Sequence, residues 1–119
     1  MIKKFALTIA ATLIISCNAM AHSPLKSTSP KNNAELNKIP DMLHFTFGKP
    51  ARMVKVTMTH STSDVSHEMK LDLPNKDLVE ELHLTPDFMG NGNYLVEWRA
   101  LSEDGHALKG EFSFTVNGG

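Results

Sequence analysis

From Leu25 onward, apolar and polar residues alternate in short runs separated by turn formers, and no long amphipathic helix is written into the chain. Leu43, Phe45 and Phe47 alternate with His44 and Thr46, which predicts a strand over 42–47 with one buried face. Val54, Val56 and Met58 against Lys55, Thr57 and Thr59 predict a second strand over 54–60. Met69, Leu71 and Leu73 against Glu68, Lys70 and Asp72 predict a third over 67–73. The run 78–84 is read as a strand because it is short and flanked by strands, although Leu78 and Leu82 also fit a helical turn. The clearest signals are 94–100, with Tyr94, Val96 and Trp98 inward, and 110–116, with Phe112, Phe114 and Val116 inward. Turn clusters at 29–33, 39–41 and 85–93 punctuate these runs. About six or seven short strands at regular spacing predict an antiparallel β-sandwich or barrel of Greek-key type.

The first residues follow a different pattern. Lys3 and Lys4 precede an apolar run from Phe5 to Ile15, and Ala19-Met20-Ala21 supplies the small residues a signal peptidase reads. Residues 1–21 are therefore expected to be a signal peptide and 22–119 one exported domain beginning with His22. A competing reading is a lipoprotein box at Ile14-Ile15-Ser16-Cys17, which would anchor the chain at Cys17 and leave His22 inside it. Cys17 is the sole cysteine, so a chain cut after Ala21 has neither a disulfide nor a thiolate metal site. Losing Lys3 and Lys4 moves the formal charge from −1 to −3, and no basic patch remains to suggest nucleic acid.

Two stretches carry candidate chemistry. Asp104-Gly105 lies between two strand-like runs, which is a strong hairpin signal. Asp104 and His106 are also two residues apart, so in an extended segment their side chains leave the same side of the backbone. A histidine at a free N-terminus chelates through its amine and Nδ1 in a six-membered ring. Joined by His106 nitrogen and Asp104 oxygen, His22 would complete a set of three nitrogens and one oxygen suited to tetragonal Cu(II). Taken by themselves, residues 102–106 favour a plain turn over a ligand site, and the segment at His22 is open to fraying.

His22-Ser23-Pro24-Leu25 after an Ala-x-Ala site, Ser29-Pro30, Leu43-His44-Phe45-Thr46-Phe47, and above all the block from Gly92 to His106 followed by Gly110 and Phe114 resemble the CopC copper-resistance family, including its shorter YobA-like members. The resemblance implies a periplasmic, Ig-like or cupredoxin-like β-sandwich binding Cu(II) through residues matching His22, Asp104 and His106. It also implies a membrane partner of the CopD type. Copper-resistance members often carry a methionine-rich Cu(I) loop, and this chain departs from that pattern. It has Met58-Thr59-His60 and His67-Glu68-Met69, which a hairpin would bring opposite each other. Met58 and Met69 are expected to fill the core, and His60 and His67 to lie on a solvated loop, rather than to bind Cu(I). His44 and His83 are expected to be surface or internally satisfied histidines, Trp98 to be core, and Arg99 and Glu103 to be surface charges that could also orient ligands.

The functional expectation is a monomeric copper carrier rather than an enzyme, acting in copper homeostasis, resistance or transport. Copper-dependent polysaccharide monooxygenases also pair an N-terminal histidine with a second histidine on a β-sandwich, so an oxidase is the first alternative. Against it, the chain has one Tyr and one Trp, both on a core-like strand, to offer a carbohydrate surface. A metal-free adhesion module is the second alternative.

Overall fold

The computed structural model describes residues 25–118, so the expected signal peptide, Cys17 and His22 lie outside the described residues. Seven strands follow one another: β1 (Leu25–Ser29), β2 (Ala34–Leu36), β3 (Leu43–Ser61), β4 (Ser66–Lys70), β5 (Leu78–Leu84), β6 (Gly92–Ser102) and β7 (Ala107–Val116). The all-β sandwich expected from the alternation is therefore the observed architecture. Its pairs are antiparallel except β2–β7, which is parallel with Ala34 opposite Phe114.

The frame is β3, which is 19 residues long where the alternation suggested two separate strands. Its first part is flanked by β1 and β5, with His44 opposite both Ser29 and His83. Its second part pairs with β4 and β6, and β6 continues the sheet through β7 to β2. Ala51 and Arg52 pair with both β5 and β6, so the strand crosses between layers there. Gly48-Lys49-Pro50 lies between the two predicted strands, yet the backbone stays extended there, since a strand changing layers tolerates a residue without an N–H.

One expected facing is corrected. Val56 and Met58 are fully buried, but Val54 is 43% exposed and Met53 is buried in its place. The register between β3 and β6 shifts between Met53 and Lys55, and the extra residue of such a bulge reverses the inward-outward parity. Val54→Lys is therefore expected to change unfolding free energy by less than about 0.5 kcal/mol. Val56→Ala should cost roughly 2 kcal/mol or more through lost burial and a residual cavity. Urea unfolding of the two variants checks the difference.

The core is built from the inward residues of β3, β5, β6 and β7, with Leu71 closing one side. Phe45 meets Phe112 edge-on at 5.7 Å, Phe47 meets Trp98 edge-on at 6.0 Å, and Tyr94 stacks on Phe114 at 4.9 Å. The Tyr94 hydroxyl donates to the Gly90 carbonyl at 2.5 Å and accepts from Met89 N–H at 2.9 Å, pinning the loop before β6. Burial raises its pKa. Gly110 is needed opposite Trp98, since a Cβ there would stand 2.7 Å from the indole ring.

Candidate metal centre

β6 and β7 form a hairpin whose last rung is Leu101 opposite Ala107, and residues 102–106 close it. Ser102 N–H donates to the His106 carbonyl, and Gly105 N–H to the Ser102 carbonyl, each at 2.9 Å. Gly105 adopts φ +88°, the left-handed conformation that such a closure requires and that glycine enters without a Cβ penalty. The Asp-Gly signal is thus a genuine turn, and the turn itself aims the side chains.

Asp104 Oδ1 is the focus of the loop. It accepts from the Ser102 hydroxyl, from His106 N–H at 3.3 Å, and pairs with His106 Nδ1 at 2.9 Å. The His106 amide also donates to Ser102 Oγ at 3.1 Å. With the proton on Nδ1 held by the carboxylate, the lone pair of a neutral His106 ring is on Nε2, the nitrogen that can take a metal. The side chains of Asp104 and His106 are 66% and 79% exposed, open to an incoming ion. Arg99 and Glu103 make no hydrogen bond to either residue, and Ser102 performs the orienting task in their place.

These contacts, the Ser102 hydroxyl first and then the His106 ring and amide, lower the Asp104 pKa from its ordinary 3.8 to about 2. A depressed folded pKa means that Asp104's contribution to the turn is complete above the ordinary value and lost as pH falls through about 2. Carbon NMR of the Asp104 carboxyl is expected to show an acid-shifted midpoint. Ser102→Ala should move that midpoint back up by removing the largest cause.

The methionine–histidine hairpin forms with the expected pairing, His60 opposite His67 and Met58 opposite Met69. Met58 is fully buried and His60 is 5% exposed, with its Nε2 hydrogen-bonded to the Asn91 carbonyl at 2.8 Å and its ring 4.8 Å from Tyr94. Met58 and Met69 thus join or pack against the core and His67 is exposed, as expected, but His60 is buried rather than on a solvated loop, because its ring turns in against Tyr94 and is hydrogen-bonded to Asn91. His44 and His83 lie at the surface as expected, but they stack on each other beside Glu81. Their alternation showed the outward facing, and only the pairing of β3 with β5 brings them together.

The CopC domain family matches residues 25–117. The chain is 25% identical to Protein YobA of Escherichia coli K12 over 95% of this chain and 93% of that protein. It is 32% identical to Copper resistance protein C of Xanthomonas campestris pv. juglandis, covering 89% of this chain and 88% of that one. The crystal structure of CopC from Methylosinus trichosporium OB3b superimposes with a TM-score of 0.60 at 28% identity, over 82% of this chain and 95% of that chain.

Proposed function

Because the chain belongs to the CopC domain family, we propose that it is a periplasmic copper carrier. It holds Cu(II) through the amine and imidazole of His22 together with Asp104 and His106. The observation carrying this reading is the convergence of Asp104 and His106 on one exposed turn, oriented by Ser102. A second observation supports it. β1 begins beside Phe47, and four residues further along β3 Ala51 pairs with Ser102, where the turn starts.

Three nitrogens and one oxygen fit Cu(II) by ligand type and by geometry. Completion of the set awaits removal of residues 1–21, which keeps the site half-built in the precursor. The names of the relatives called Copper resistance protein C support a role in copper resistance; copper homeostasis or transport, with delivery to a membrane transporter of the CopD type, belongs to the same proposal. Burial of Tyr94 and Trp98 supports the carrier over the oxidase, because neither ring is available to a carbohydrate.

Titration of the mature chain against a competing chelator tests the reading. One equivalent of Cu(II) with an electron paramagnetic resonance spectrum of a three-nitrogen, one-oxygen set is expected. Oxidised polysaccharide after ascorbate reduction would instead favour the oxidase, and absence of copper uptake at micromolar protein would favour the metal-free module.

A further inference from the structure

Away from the 102–106 turn, the outward face of the first layer gathers two imidazoles and a carboxylate. His44 on β3 lies directly opposite His83 on β5, and Glu81 precedes His83 by two residues, on the same side of that strand. Leu43, Phe45, Leu82 and Leu84 fill the inner face, so alternation turns His44, Glu81 and His83 outward together. The two rings are stacked with centroids 4.1 Å apart and planes at 30°. His44 Nε2 is 3.1 Å from Glu81 Oε1, and one donor atom from each of the three residues lies within 4.8 Å of the others. Among the described residues, this is where three His or carboxylate side chains come within reach of one ion.

We propose that His44, Glu81 and His83 form a second metal site, for a divalent late first-row ion of the Zn(II) or Cu(II) type, separate from the site at Asp104 and His106. Two imidazole nitrogens and one carboxylate oxygen are the donors that ions of borderline softness accept. Bond lengths of about 2.0–2.2 Å place two donors of one tetrahedral ion roughly 3.3 Å apart. The His44–Glu81 pair already has that spacing, and Glu81 and His83 are exposed, so rotation of their side chains brings in the third donor. His44 is the anchor, its side chain only 32% exposed on a central strand. Adjacent paired strands hold the three Cα positions more firmly than a loop does.

Three protein ligands leave a fourth position for water or an exchanging ligand, as in open rather than closed zinc sites. The ion also displaces the His44–Glu81 hydrogen bond, so the site binds more weakly than a four-ligand structural centre. It is suited to a metal that comes and goes.

The test uses the mature chain carrying His106→Ala, which removes the first site's histidine from the turn. Zn(II) is titrated while the imidazole nitrogens are followed by NMR. The expected result is one bound equivalent of Zn(II) with the resonances of His44 and His83 shifting together. His83→Ala added to that chain should weaken Zn(II) uptake by at least about tenfold, the least that loss of a metal-site partner usually costs. Glu81→Gln should weaken it by a smaller factor. Both positions are exposed, so the fold survives either change. Zn(II) shifts confined to His60 or His67, or unchanged affinity in His83→Ala, would overturn the proposal. The imidazole shifts are read independently of whether His106→Ala alters total copper uptake, so failure of the first site and failure of the second are told apart.

Discussion

Adding a single residue ahead of His22 in the mature chain is expected to weaken Cu(II) binding by at least about 100-fold, beyond the range typical of losing an outer partner. The extension leaves every side chain in place and converts the terminal amine into an amide, which no longer donates a lone pair. It also breaks the six-membered chelate, so the His22 imidazole loses the advantage of acting as one half of a bidentate ligand. His106→Ala should cost a comparable factor, and Asp104→Asn less, because an amide oxygen remains a donor but carries no charge. Isothermal titration with a competing chelator measures all three. Full affinity in the extended chain would remove His22 from the site.

Acidification gives an independent reading of the same set. Asp104 is held ionised down to about pH 2 by Ser102 and His106, so it does not release the ion as pH falls from neutral. Nitrogen donors must be deprotonated to bind, so copper at the proposed site should be lost by protonation of the nitrogens while the carboxylate is still charged.

Phe114→Ala carries the largest expected effect on stability. Phe114 is 1% exposed, stacked on Tyr94 at 4.9 Å, and within 6.4 and 6.5 Å of Phe112 and Phe88. Its removal takes away the ring's burial and leaves a cavity among aromatic neighbours that cannot collapse, a loss of about 3–5 kcal/mol. A domain of this size has only about 5–15 kcal/mol in total, so the midpoint of thermal unfolding should fall by roughly 15–30 °C. Calorimetry checks the drop. Phe114 lies eight residues along β7 from His106, roughly 26 Å of extended strand, so the copper affinity of the folded fraction should be unchanged. That contrast separates the residues that hold the fold from those proposed to hold the ion.

Much of this was legible in local sequence. The inward sets Leu43-Phe45-Phe47, Tyr94-Val96-Trp98 and Phe112-Phe114-Val116 are buried as their alternation predicts, because a period of two fixes which face each side chain takes. The hairpin at 102–106 was legible for the same local reason, since Asp-Gly specifies a backbone conformation within a few residues. The facing of Val54 was not, because the bulge at Met53–Lys55 exists only once β3 is set against β6. Nor was the continuity of β3 through Pro50, which depends on two layers sharing one strand.

By itself, then, the sequence determined the strand-forming stretches from residue 42 onward, most of their buried faces, the Asp104–His106 turn and the resemblance that points to copper, while β1 and β2 were not read from it. Tertiary structure decided which strands are neighbours, and with that the meeting of His44 with Glu81 and His83 across 37 and 39 residues of chain. The physical reason is the range of the forces involved. Alternation and turn chemistry act between residues a few positions apart, whereas strand pairing is settled by burial of the whole core, to which every inward side chain contributes at once.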